Sequence, residues 1–120
     1  MEGPNNGWEA FCGSLPGVYR DYPFGEEWLV FRHRETHKIF ALFYQKDGVP
    51  CLNLKCEPLR ADFLRRAFDW VTPGYHMNKS HWNTVRLNSA DENEVRSMIL
   101  HSYSLTGKKP SAAPNKEGNP

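Results

Sequence analysis

Apolar residues recur with two different periods along this chain, and the switches between them mark out its elements. Trp8, Phe11, Cys12 and Leu15 fall at i, i+3, i+4 and i+7, one stripe of a short helix that Pro16-Gly17 ends. The turn-rich link VYRDYPFG follows. Residues 28–33 and 38–45 are dense in β-branched and aromatic side chains, which predicts two strands. The polar RETH between them has hairpin length, which predicts that they pair antiparallel. Asp47-Gly48 supplies the next turn. It leads into PCLNLKC, where Leu52 and Leu54 alternate with Cys51, Asn53 and Lys55, the period of two of a strand with one buried face.

Glu57-Pro58 starts a second helix, because a proline at the first helical position gives up an N–H that has no partner there anyway. Leu59, Phe63, Leu64, Ala67 and Phe68 are its expected inner face. Thr72-Pro73-Gly74 then breaks the chain. In WNTVRL, Trp82, Thr84 and Arg86 share one face of a strand, and Asn83, Val85 and Leu87 the other. Ser89 and Glu92 have capping-box spacing, and Asp91, Glu92 and Glu94 suit the positive end of a helix dipole, so these acids are assigned to capping rather than to catalysis. Val95, Met98, Ile99 and Tyr103 form the stripe of this helix, and Gly107 ends it. The polar, proline-rich KKPSAAPNKEGNP predicts a disordered tail over 108–120, after a single domain over 1–107.

The derived order is helix, three strands, helix, one or two strands, helix. With hairpin connections this predicts an α+β fold of two layers: a largely antiparallel sheet, helices gathered on one face, and the other face left to solvent or a partner.

Composition narrows the class. At 120 residues the chain holds one core and buries roughly two-thirds of its unfolded surface. Aromatics at 13% fill that core without help from disulfides or a structural metal. Cys12, Cys51 and Cys56 cannot all pair with one another, so reduced thiols packed as small apolar residues are expected. The longest uncharged apolar run, residues 39–44, is far below the ~20 residues of a membrane span. MEGPNNG lacks the basic start and apolar stretch of a secretory signal, so a cytoplasmic protein without membrane association is expected, its oligomeric state open with a monomer favoured. Residues 8–106 carry 12 Lys+Arg and 12 Asp+Glu, and the pI is about 7.8, short of the ~9 usual for a strong polyanion binder.

The candidate chemistry concentrates in GYHMNKSHWNTVRL. Cys51-x4-Cys56 and His76-x4-His81 loosely match zinc-ligand spacing, but the two cysteines lie five apart on a strand and leave opposite faces. His33 and His37 straddle the first hairpin turn and read as surface histidines. No serine sits in a strand-turn-helix elbow and no glycine-rich phosphate loop is present, so no catalytic residue, metal or cofactor is expected. Residues 70–88, by contrast, hold Lys79, Arg86, two histidines and two tryptophans with no carboxylate. Lys79, Asn78 and backbone N–H groups suit phosphate, and Trp82 or Tyr75 suits a sugar or base; Arg32, Arg34, Lys38 and Lys55 extend the patch across the open sheet face. The alternative reading has Trp82 and Met77 as packing, and Asn78, Asn83 and Thr84 as local ties of the loop.

LPGVYRDYPFG, LNLKCEP and above all PGYHMNKSHWNTV resemble the signature segments of the MmcQ/YjbR family of small bacterial proteins, from about Trp8 to Gly107. The resemblance implies the order α-β-β-β-α-β-β-α, a five-stranded antiparallel sheet similar to secretion-chaperone-like domains, with an added strand near residues 71–77. It also implies DNA binding through a double-wing arrangement of hairpins. Carried over by position, the motif residues are Tyr75, His76, Met77, Asn78, Lys79, His81, Trp82, Asn83 and Thr84. MEGPNNG replaces a longer polar helix start, so the first helix is expected to be short. The expected function is non-enzymatic, weak DNA binding by the hairpin loops and the 75–86 patch. Its alternative is a protein-interaction or chaperone-like module, which the neutral body suits.

Overall fold

Among the described residues every pair of neighbouring strands is antiparallel. The computed structural model describes residues 4–108, in the order α1 (Pro4–Ser14), β1 (Val18–Asp21), β2 (Leu29–His33), β3 (Ile39–Lys46), β4 (Val49–Lys55), α2 (Pro58–Ala67), β5 (Val71–Pro73), β6 (Trp82–Arg86) and α3 (Glu92–Thr106). The strands form one sheet of order β1-β2-β3-β4-β6-β5. All three helices pack on one face, where Phe31, Phe40, Phe43, Leu52, Leu54 and Val85 of the sheet meet Cys12, Leu64, Val95, Met98 and Ile99 of the helices. The predicted α+β two-layer architecture is therefore present. The tail expected over 108–120 lies, apart from Lys108, outside the described residues.

Local chemistry sets the register. Asp47 and Gly48 both take positive φ, 54° and 78°, as a two-residue type I′ turn requires, and the turn brings Lys46 opposite Val49. In the β2–β3 connection His37 takes the left-handed conformation, and the pairing shifts between Phe31 and Arg32 so that Phe40 and Ala41 both join the inner core.

Four expectations are corrected. The sheet has six strands rather than five: VYRD, read as part of a link, is an edge strand paired with β2 from Val18↔His33 to Asp21↔Val30. Its four residues are too few to show a period of their own, and the neighbouring strand supplies the pairing. β5 is shorter than the stretch 71–77, because after Pro73 the chain leaves the sheet. α3 is capped by Asp91, whose carboxylate accepts from the Glu94 N–H at 3.0 Å, rather than by Ser89. The largest difference is in α2, which turns Ala61 and Leu64 inward and leaves Leu59 and Phe63 89% and 65% exposed. In that rotation Arg65 and the Ala61 carbonyl both hydrogen-bond Asn83 of β6.

The other face of the sheet is not open throughout. Val30, Leu42, Tyr44 and Cys51 form a second, smaller cluster there, and Tyr75 and Met77 of the β5–β6 connection fold back over it together with Trp28. The chain thus covers part of its own outer face.

Candidate functional site

The outer face carries a groove of about 540 Å³ at the end of the sheet where the β3–β4 turn, β5 and β6 come together. Val49, Cys51, Pro73 and the Tyr75 ring give it an apolar floor, and Lys46, Lys79 and Arg86 stand around it. Strand parity explains the convergence. Arg86 lies directly opposite Cys51, and Thr72 opposite Thr84, so all four share the outer face. Lys46 ends β3 two residues beyond Tyr44 and points the same way.

Asp47 is the one carboxylate in the lining. It lies 3.5 Å from Lys46 with its side chain 87% exposed, where an ion pair contributes little. The Lys46 ammonium also sits 5.0 Å from the Tyr75 ring centroid. Lys79 donates one hydrogen bond to the Gly74 carbonyl at 2.9 Å. Among the described residues neither Lys79 nor Arg86 is paired with a carboxylate. Burial pushes the Cys51 thiol up, with Arg86 and Lys46 pulling it partly back, so this thiol is a packing group in the floor.

Beneath the floor is a buried polar network. The Tyr44 hydroxyl donates to Asn53 Oδ1 at 2.7 Å, and the Thr84 hydroxyl donates to the same oxygen at 2.6 Å. Thr84 Oγ1 accepts from the Tyr75 N–H at 2.9 Å, and Asn53 Nδ2 donates to the Tyr75 carbonyl at 2.9 Å. Both backbone groups of Tyr75 are thereby fixed. Burial pushes the Tyr44 hydroxyl well above the usual phenol range, against the opposing pull of the Thr84 and Asn53 hydrogen bonds. The Tyr44 ring stacks between Trp28 at 4.7 Å and Tyr75 at 5.8 Å. His76, next along, takes a left-handed φ of 61° and holds it with its ring 4.0 Å from that of Tyr75.

The far side of the connection is tied to α2. Arg65 donates from Nε to Asn83 Oδ1 at 2.6 Å and from its terminal nitrogen to the Trp82 carbonyl at 3.1 Å, and it also reaches the Lys79 carbonyl. Asn83 Nδ2 in turn donates to the Ala61 carbonyl at 3.3 Å. This tether rotates α2 so that Arg65, rather than Phe63, faces the sheet.

The structure brings Tyr75, Lys79 and Arg86 together in the groove and disperses the other expected contacts. Arg32 lies on the outer face, but its guanidinium is held by Asp21 at 2.9 Å and by the His37 carbonyl at 2.8 Å. Arg34 lines a different groove, of about 630 Å³ between α1 and β1, with Arg20 and Glu9. Lys38 is exposed at the opposite end of β3 from Lys46. Lys55 pairs across the sheet with half-buried Trp82, beside the groove rather than in it. Asn78 Oδ1 accepts from the Ser80 N–H at 2.9 Å, a local turn contact, and His81 is exposed after that turn. The reading of Asn78, Asn83 and Thr84 as ties of the loop thus matches their hydrogen bonds.

The cysteines and histidines also separate. Cys51 belongs to the outer cluster and Cys56 to the inner one. His33 is buried with its Nε2 donating to the Tyr103 carbonyl at 2.9 Å, whereas His37 meets the Tyr19 hydroxyl at 3.0 Å. Among the described residues no three His, Cys, Asp or Glu side chains are grouped to share a metal ion, and no helix is long and apolar enough to cross a membrane.

Lys46, Thr72, Asn53 and Arg65 were not singled out from the sequence. Lys46 had a usable signal, because a two-residue Asp-Gly turn fixes its register and places it on the face of Tyr44 and Leu42. Arg65 had none, since its partners are 14 to 18 residues away and include backbone carbonyls.

Known proteins share this fold. The YjbR family profile matches residues 13–105. The chain is 38% identical over 92 residues to the uncharacterised protein YbdF of Escherichia coli O157:H7, covering 76% of this chain and 74% of YbdF. It is 34% identical over 103 residues to the uncharacterised protein YyaQ of Bacillus subtilis, covering 75% and 86%. A Deinococcus radiodurans crystal structure of a DUF419 domain superposes with a TM-score of 0.77 at 32% identity, over 91% of this chain and 84% of that one. A Pseudomonas syringae protein superposes with a TM-score of 0.76 at 29% identity, over 89% and 100%. Sequence and fold agree over most of the chain, which belongs to the YjbR family.

Proposed function

We propose that this protein is a non-enzymatic binding protein that holds DNA through its phosphates in the outer-face groove. The observation that carries this reading is the convergence of Lys46, Lys79 and Arg86 on one groove whose lining has Asp47 as its one carboxylate. Two of the three Lys79 ammonium donors and the Arg86 guanidinium have no protein acceptor among the described residues, so a phosphate meets donors that need not be released first. Such contacts position a nucleic acid without reading its sequence.

Titration against oligonucleotides across salt tests the proposal. Each phosphate neutralised contributes about −0.7 to −0.9 to the slope of log K against log salt, so three cations predict a total between about −2 and −3. Lys79→Ala and Arg86→Ala should each flatten the slope by about one contact's share. Absence of binding to any oligonucleotide at low salt, at ~tens of micromolar protein, would sink the reading.

A protein partner is the second reading, and the exposed Leu59 and Phe63, one turn apart on α2, support it. Affinity capture with and without nuclease distinguishes the two. A partner retained after nuclease and lost in Leu59→Asp supports the second reading, and loss of every captured protein on nuclease treatment counts against it.

A further inference from the structure

We infer that the groove takes unpaired nucleotides, so that the preferred ligand is single-stranded rather than duplex DNA; this rests on the nucleic-acid reading above. The shape of the site is the first reason. The groove is concave and, at about 540 Å³, falls among pockets that enclose small ligands, roughly 300–1,000 Å³. A duplex is convex and keeps its base faces stacked inside, so it can offer the rim phosphates but nothing that reaches the floor. An unpaired base can turn in.

The floor supplies the second reason. Val49, Cys51, Pro73 and Tyr75 present an apolar surface, and phosphate alone gives such a surface no occupant. The polar groups just below it are already committed: Thr84 and Asn53 spend their hydrogen bonds on Tyr44 and on the backbone of Tyr75. The floor is therefore apolar, with cations above it; a base turned into it meets aliphatic surface beside a Tyr75 ring that already carries Lys46 and stacks on Tyr44, while the cations follow the backbone as they do in grooves for single strands.

The third reason is the distribution of charge. A duplex presents one phosphate per ~1.7 Å of axis and is held by cations spread along its length. Beyond the groove that spread is thin, with Lys55 as the further outer-face lysine on β4. Arg32 is held by Asp21, Arg34 lies in another groove, and Lys38 is at the opposite end of β3.

The test compares, with the full chain at low salt, a fluorescently labelled oligothymidylate and a blunt duplex of equal length. The single strand should bind at least tenfold tighter, with a salt slope of about −2 for three phosphates. Arg86→Ala should weaken it several-fold. Thr72→Glu, which sets a carboxylate on the outer face in the lining of the groove, should weaken it tenfold or more, with an unchanged circular dichroism spectrum verifying the fold. Duplex bound as tightly as the single strand, or more tightly, overturns this inference and leaves the phosphate-binding reading standing. Binding of neither overturns both. Single-strand binding indifferent to both substitutions overturns the assignment to the groove.

Discussion

Arg65 on α2 and Asn83 on β6 are joined by a 2.6 Å hydrogen bond between the guanidinium Nε and the amide Oδ1, on the helix-covered side of the sheet. Through it the helix holds the connection that folds over the opposite face. Arg65→Ala leaves the buried Asn83 amide without that donor and releases the Lys79 and Trp82 carbonyls. A loss of about 2 kcal/mol is expected in urea denaturation, together with faster amide exchange between Lys79 and Trp82. Arg65→Lys should restore little of it, since an ammonium cannot form the same fork.

Thr84→Val keeps the shape of the side chain and removes its hydroxyl. The Tyr75 N–H then has no acceptor beneath the connection, and Asn53 Oδ1 loses one of two donors. The expected cost is about 1–3 kcal/mol, and the near-ultraviolet circular dichroism of the Trp28–Tyr44–Tyr75 stack should change with it.

Gly74 is required by a close approach rather than by its φ. A Cβ there would lie 2.7 Å from the Trp82 Cβ and 2.9 Å from the Trp82 carbonyl oxygen, while the Gly74 N–H donates to that same oxygen. Gly74→Ala should force β5 and β6 apart at a cost of about 1–3 kcal/mol, measured as a lower thermal midpoint.

The orientation of α2 separates two side chains that differ little in sequence. Leu59→Ala, at an 89% exposed position, should change stability by no more than about 0.5 kcal/mol, whereas Leu64→Ala should cost about 2–5 kcal/mol. Equal effects would mean that the helix is rotated toward the face expected from periodicity.

Acid should loosen the fold through its histidines. Burial holds His33 below its ordinary 6.5, against the raising effects of the Tyr103 carbonyl and Glu35. His101 is lowered by burial and then by Arg60, with Glu57 opposing. In each case the unfolded chain takes up the proton first. Stability is therefore full above about 6.5 and falls as pH drops from there toward the lower folded-state value. Urea midpoints measured across this window should decline toward acid, and less steeply in His33→Gln.

Much of the frame was legible in the residues. The alternation in LNLKC placed Leu52 and Leu54 inward and Asn53 and Lys55 outward, and WNTVRL separated Thr84 and Arg86 from Asn83 and Val85 in the same way. Asp47-Gly48 specified a turn that only a two-residue hairpin loop satisfies. The site was legible in part. Lys79, Arg86 and Tyr75 drew notice because they lie in a run without carboxylates, and they do line one groove. Arg32 looked equivalent to them in the sequence, yet it is occupied by Asp21 across a strand pair that the sequence had not shown.

By itself, the sequence determined which residues alternate, where the chain turns and which helices end where, because these depend on neighbours a few positions away. The tertiary structure decided the rest: that VYRD joins the sheet as an edge, that α2 turns Leu59 and Phe63 outward, and that Lys46, Lys79 and Arg86 meet. Each of these depends on partners distant in the chain, such as Arg65 with Asn83 or Val18 with His33. No local period encodes a contact made only when two separate elements pack.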